Sequence, residues 1–338
     1  MIRRRGFTLV ELLVVMAIIG LLISILLPSL AGARDQSKSI MCKSHLRTLG
    51  TSAFAYAASE ADYLSSGQAD ARENMNLGQG ITDLAQTGID KVGWIADFVN
   101  GGYCFPGKML CPTNPGRQTQ SWGRALQLPG ATDAYPPEEF RRLIGERGYN
   151  TNYCQSWYMI HTEYDGSTTP VVDRDRRWGS VGPLRSTGMV RAGPSRVPLF
   201  GDARAPRDEL FDHSEQGYGP AVRETKSATD GPGWQVNEDG TYTMMPYTSL
   251  TPYGIQDWDD FGPAHRRRGQ NEEDHSFTVA NILFGDGHVD SFEDRFDFDN
   301  GEVRVRPDGE LDSWDLREKV FDGVLSLGRR SRSATNME

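Results

Sequence analysis

Hydrophobic side chains fall in three rhythms along this chain, and each predicts a different element. From Phe7 to Leu27 they are nearly continuous: 21 residues in which Thr8, Glu11 and Ser24 are the clearly polar side chains. At about 1.5 Å per residue a helical run of this kind spans roughly 30 Å, enough to cross a bilayer. Past Pro28, which spanning helices tolerate, the rhythm becomes helical. Cys42, Leu46, Leu49, Ala53 and Tyr56 lie alternately four and three apart and trace one stripe of an amphipathic helix. The two patterns together predict one helix from Thr8 to about Glu60, about 80 Å long, half of it in lipid and half packed on a body, with Gly50 as a weak point.

Further on the elements are short. Asp62 to Gly80 reads as a loop, Thr82 to Asn100 as a short helix interrupted by Gly88 and Gly93, and Pro137 to Ile144 as one or two helical turns. Trp157-Tyr158-Met159-Ile160 reads as an aromatic strand and Pro198 to Asp202 as a short strand. Ala203 to Trp258 is turn-rich and irregular. In Thr278 to Phe292 the dipeptide Asp286-Gly287 stands between short apolar strands, a hairpin signal. A two-residue turn there pairs Phe284 with Val289 and Ile282 with Ser291. Glu302 to Pro307 is an edge-strand candidate, Arg317 to Leu327 a last short helix, and the basic and polar tail a disordered segment. The fold class expected is α+β: a long N-terminal transmembrane and spine helix on an antiparallel sheet, with long irregular insertions.

Charge fixes the orientation. Arg3, Arg4 and Arg5 precede the apolar run, which keeps the start in the cytoplasm and sends the bulk of the chain across the membrane. Without those three arginines the 36 basic side chains fall to 33 against 46 acidic ones. A body this acidic is a poor partner for nucleic acid or anionic lipid. Outside the cytoplasm, Cys42, Cys104, Cys111 and Cys154 can pair in any of three ways, and Cys104 with Cys111 closes the shortest loop. Cys42, on the apolar stripe, is either a tether to the body or a small hydrophobe.

Glu11 decides how the apolar run is read. A carboxylate inside a spanning helix is costly and is usually paired or functional. A secretory signal cut near Ala31 or Ala33 gives it no role. A cut between Gly6 and Phe7 does, because the new amine at Phe7 lies one helical turn from Glu11, or meets the Glu11 of a neighbouring copy and sets the register between stems. Gly6-Phe7-Thr8-Leu9-Val10-Glu11 resembles the cleavage and methylation signal of type IV prepilins and of the pseudopilins of type II secretion. The resemblance implies that a prepilin peptidase and methyltransferase cuts after Gly6 and methylates Phe7. It also implies that Glu11 serves assembly, and that the partners are other pilin-like subunits, an inner-membrane assembly platform and the lipid bilayer. The chain then divides into a leader (1–6), a transmembrane stem (7–27), an amphipathic continuation (28–62), an extracytoplasmic pilin-like body (63–320) and a tail (321–338).

Later segments carry the same resemblance more thinly. His275 with Asn281 to Val289 looks like the C-terminal H-x9-DG segment of large prepilin-like proteins of planctomycetes, although ten residues rather than nine separate His275 from Asp286. Cys42 to Tyr63 resembles the stretch after the stem in those proteins, and Cys111-Pro112 and Phe200-Gly201-Asp202 are weaker echoes.

His265, His275, Asp286, His288, Asp290 and Asp294 are a possible ligand pool for a divalent metal. Asp286, His288 and Asp290 are the candidate ligands and calcium the candidate ion, since some secretion pseudopilins bind it near their C-terminus; no other cofactor is expected. Asp257, Asp259 and Asp260 read as a solvated acidic face. No GxSxG, GxxxxGK[ST], HExxH or GxGxxG string occurs, so a non-enzymatic subunit is expected. The runner-up is a membrane-anchored module that binds carbohydrate or protein through Trp157, Trp178, Trp234 and Trp258. A metal-dependent surface enzyme is the third reading.

Overall fold

The computed structural model describes residues 9–67, 88–126, 131–160, 163–164, 180–181, 183–190, 192–206, 210–229, 233–236, 242–245, 258, 260–265, 279–293, 319–321, 323–324 and 329–330. Helix α1 (Leu9–Ser59) is one piece of 51 residues, about 75 Å long, and runs through Pro28 and Gly50. Its two halves meet different surroundings. From Leu9 to Ile25 every described side chain is exposed, Leu9 at 79% and Leu21 at 65%. From Cys42 onward the stripe Cys42, Leu46, Leu49, Ala53 is fully buried.

What the stripe packs on is an antiparallel four-stranded sheet, built of β1 (Tyr153–Gln155), β2 (Pro198–Asp202), β3 (Val279–Phe284) and β4 (Val289–Glu293) in the spatial order β4-β3-β2-β1. Every residue of β2 and β3 is buried, as expected of central strands covered on both faces. Gly50 brings the helix down onto β3: a Cβ there would stand 2.7 Å from Leu283 Cδ2. The glycine that weakens the helix locally is what lets it lie close to the sheet.

A second, smaller sheet places Val222–Thr225 between Gln118–Thr119, parallel, and Leu210–Phe211, antiparallel. Residues 203–258, expected to be irregular, therefore contain short strands, including the ribbon of Gly233–Val236 with Tyr242–Met245. Other expectations change as well. Trp157–Met159 is a 3-10 turn, not a strand; the extended segment ends at Gln155, and the Ser156 N–H, bonded to the Leu199 carbonyl at 2.8 Å, starts the turn. Phe321, at the start of the segment expected to be a tail, is buried and its N–H donates to the Arg196 carbonyl at 2.7 Å. Gly323–Val324 pairs with Arg329–Arg330, so the expected helix over 317–327 is not formed there. The edge strand expected at 302–307 lies outside the described residues.

Helix α2 (Trp94–Asn100) is the described remnant of the helix expected over 82–100, and it fastens the end of α1 to the body. Asp97 on α2 accepts hydrogen bonds from the Ser66 N–H at 2.7 Å and the Ser66 hydroxyl at 2.9 Å. Burial pushes its carboxyl up to about 6, against the Ser66 and Tyr56 hydrogen bonds, and Glu60 pushes the same way. The folded chain therefore holds this proton more tightly than the unfolded one. Its contribution is complete below the ordinary value of 3.8 and is lost as pH rises to about 6. At about 1.4 kcal/mol per unit, the loss is at most about 3 kcal/mol. Urea unfolding of the Asp97→Asn variant should show a flatter stability profile than the wild type across this window. Parallel profiles would mean that Asp97 is not the source.

Candidate functional site

Four residues that are far apart in sequence meet where α1 crosses the sheet. Cys42 comes from the helix stripe, Cys111 from the loop after α2, Asp202 from the end of β2 and His265 from the segment leading into β3. All four are buried, and their ligand-type atoms lie within 4.8 Å of one another. The sulfurs of Cys42 and Cys111 are 2.7 Å apart. The Nε2 of His265 is 3.6 Å from the Cys111 sulfur and 3.2 Å from Asp202 Oδ2, while its Nδ1 is 3.0 Å from the Thr113 hydroxyl.

Local structure aims each of these groups. His265 is held by an antiparallel bridge to Val279, with reciprocal N–H to carbonyl bonds of 3.0 and 2.9 Å. The Cys111 backbone is clamped by Asn152, whose carboxamide oxygen accepts the Cys111 N–H at 2.8 Å and whose amide donates to the Cys111 carbonyl at 3.0 Å. Asp202 Oδ2 accepts the backbone N–H of Asn281 at 2.8 Å and its side-chain amide at 3.0 Å. Gly201, just before it, is needed for packing, since a Cβ there would stand 2.6 Å from the Phe261 ring.

The electrostatics follow from burial and proximity. Burial alone would lower the His265 imidazole, but the Asp202 carboxylate and the Cys111 sulfur hold it up to about 10, so it is an imidazolium at neutral pH. Burial pushes the Cys111 thiol up; the hydrogen bond from Cys42 and the His265 charge more than offset this and bring it to about 6. Cys42, donor in that bond, is pushed far above the usual thiol range, first by the bond and then by burial. Asp202 Oδ1 is buried without a hydrogen-bond partner.

The donor set of two sulfurs, an imidazole and a carboxylate is one that suits zinc. It is a poor nucleophilic relay. Cys111 and Asp202 both face Nε2, whereas a Cys-His-Asp relay puts the carboxylate on the other ring nitrogen.

The other predicted ligands do not converge in this way. Asp286 accepts the His288 backbone N–H at 3.1 Å and lies 2.5 Å from its ring Nδ1, and Asp290 pairs with Lys319 at 3.0 Å; these side chains are exposed or nearly so. His275 and Asp294 lie outside the described residues; among the described histidines it is His265 that is buried in the core. Cys104 does not meet Cys111: it is buried against the Ser52 hydroxyl, and Cys111 takes Cys42 instead. Of the acidic knot, Asp260 is buried and pairs with Arg204 at 3.4 Å rather than facing solvent, and residues 257 and 259 are not described. Trp157 and Trp258 are core residues, Trp178 is not described, and of Trp234 the backbone alone is described, so an exposed face of three or more of these rings is ruled out. Sequence reasoning did not single out Asn152 or Thr113; a polar residue fixing a loop leaves no periodic signal.

The opposite end of α1 is the second candidate region. Gly6 and Phe7 lie outside the described residues, and Glu11 stands in the first turn of the helix. Around and after it the exposed apolar side chains cover all sides of the rod, from Leu9 to Ile25. Among the described residues no helix is long and apolar enough to cross a membrane; the side chains of Leu26 and Leu27, at the end of the apolar run, are not among those described.

Residues 1–27 match the prokaryotic N-terminal methylation motif.

The motif covers the arginines, the Gly6-Phe7 junction, Glu11 and the apolar run, and marks the chain as having a type IV pilin-like N-terminus. Comparison with curated proteins and with solved structures finds no match. With the motif at one end of α1, the buried centre lies toward the other. The segments around Cys42, Cys111, Asp202 and Asn281 all reach that centre.

Proposed function

We propose that the chain is a pilin- or pseudopilin-like subunit of a type II secretion or type IV pilus-like assembly, and that it works by noncovalent packing of stems rather than by catalysis. The observation that carries this reading is the apolar rod from Leu9 to Ile25, exposed on every side and lying within the methylation motif of residues 1–27. A naked apolar surface of this size needs lipid or identical neighbours to cover it. In this reading the stem spans the cytoplasmic membrane as residues 7–27, with the body outside the cytoplasm. A prepilin peptidase removes residues 1–6 and methylates Phe7, and an assembly platform in the membrane draws the stems together. Glu11 then meets the Phe7 amine of its own or a neighbouring stem.

N-terminal mass spectrometry of the protein from its native membranes tests this directly. The expected terminal peptide begins at N-methylated Phe7, and Gly6 replaced by a bulky residue leaves the six-residue leader attached. A native terminus beyond residue 27, or an intact leader on wild-type chains, would overturn the reading.

The binding-module alternative loses its main support because Trp157 and Trp258 are interior.

A further inference from the structure

We propose that Cys42 and Cys111 are joined by a disulfide that ties the stem helix to the body at the point where α1 leaves it. Both cysteines are free thiols in this structure, both are fully buried, and their sulfurs stand 2.7 Å apart. Unbonded heavy atoms settle at roughly 3.5–4.0 Å. The backbone on both sides is fixed: Cys42 sits on a rigid helix, and the Asn152 clamp holds Cys111 opposite it. From 2.7 Å the sulfurs need to close by about 0.7 Å to reach an S–S bond of about 2.05 Å.

The competing use of the site is a metal ion held by Cys42, Cys111, Asp202 and His265. Two features favour the covalent bond. Two thiolates on one zinc, at about 2.3 Å each in a tetrahedral shell, stand about 3.8 Å apart, so an ion requires the pair to open by about 1 Å. Two thiolates and the Asp202 carboxylate also leave one uncompensated negative charge around a divalent ion in a fully buried site. A disulfide carries no charge, so closing it takes both thiolate charges out of the buried site and with them that desolvation cost.

The chemistry balances as thiol oxidation. Each cysteine gives up a proton and an electron and one S–S bond forms. The two electrons and two protons pass to a thiol–disulfide oxidant, whose own S–S bond opens to two thiols. Such oxidants belong to compartments outside the cytoplasm, so the proposal rests on the placement of the body proposed above.

The position gives the bond a use. Cys42 is the first fully buried residue of the stripe, and the preceding described residues of α1 are exposed or half-buried. A force applied to the stem by neighbouring stems reaches the body there first, and a covalent tie at that point prevents the helix from peeling off the sheet.

The test uses full-length protein extracted from membranes without reductant, denatured in N-ethylmaleimide and digested with trypsin. Cleavage separates all four cysteines, so the expected product is the peptide 39–43 linked to the peptide 109–117 in nearly all chains, with Cys104 and Cys154 alone carrying the label. Label on all four cysteines overturns the proposal: with one zinc per chain by elemental analysis the site is a metal centre, and with none it holds free thiols. A Cys104–Cys111 link also overturns it. The same digest reports the N-terminus separately. An uncut leader with the linked pair present defeats the pilin-like reading and leaves the bond standing, whereas a terminus at Phe7 with four labelled cysteines defeats the bond alone.

Discussion

Replacing Asp202 by alanine should lower the stability of the folded body by about 3–5 kcal/mol, the range found when one member of a buried charge pair is removed. The carboxylate has no exposed surface and serves three donors: the Asn281 N–H, the Asn281 side-chain amide and the His265 ring. Without it the imidazole can shed its proton, which limits the damage on that side. The Asn281 backbone donor has no such escape, because it sits in the middle of β3 with strands on both sides. At about 2–4 °C per kcal/mol for a body of this size, the melting temperature should fall by roughly 10 °C. Asp202→Asn separates shape from charge. It retains an acceptor for Asn281 and should recover part of the loss, while a melting curve of Asp202→Ala within a degree or two of wild type would mean that the ion pair is incidental to folding.

The site that this residue anchors was not readable from the sequence, although most of the elements around it were. α1 was legible because an unbroken apolar run and a four-three stripe are periodic signals, and both survive as the exposed and buried halves of one helix. The strand at Pro198–Asp202 and the turn at Pro137–Arg141 were legible for similar local reasons. The hairpin was foreseen, but its register was off by one. Leu283 pairs with Val289 and Ile282 with Asp290, and the Phe284 N–H bonds to the His288 carbonyl at 3.0 Å. The loop is therefore Gly285-Asp286-Gly287, three residues with positive φ at Gly287. A two-residue turn would have needed positive φ at Asp286 as well, which the longer loop avoids. That slip moves every side chain of β4 to the opposite face from the one expected.

The buried centre fails to show for a different reason. Cys42, Cys111, Asp202 and His265 come from four separate elements, and nothing in their spacing says that β2, β3 and α1 bring them together. The ligand pool read from the sequence groups His265 with His288 and Asp290, and in the fold this histidine stands beside Cys42, Cys111 and Asp202. The sequence leaves Cys42 as either a tether to the body or a small hydrophobe; its burial against the body fits both, and nothing in the sequence signals the Cys111 sulfur beside it. Pairing Cys111 with Cys104 by loop length ignored the Asn152 clamp, which turns Cys111 toward the helix.

Glu11→Ala should leave the chain in the membrane and remove it from filaments. Insertion is driven by the apolar run, which loses only a costly carboxylate, so the membrane-bound fraction should be unchanged or slightly higher. Assembly is another matter if stems pack around the amine of Phe7. Taking away the acid leaves that amine buried and unpaired, and breaking such a pair costs on the order of 3–5 kcal/mol. At about 1.4 kcal/mol per factor of ten, even a third of that cost lowers recovery in sheared filaments about tenfold. Glu11→Gln keeps the shape and the hydrogen-bonding oxygen without the charge, so it should resemble alanine if the charge sets the register and the wild type if a hydrogen bond suffices. Normal filament recovery for both variants, with the leader correctly removed, would show that the stems find their register without this acid. The apolar rod would then assemble on shape alone.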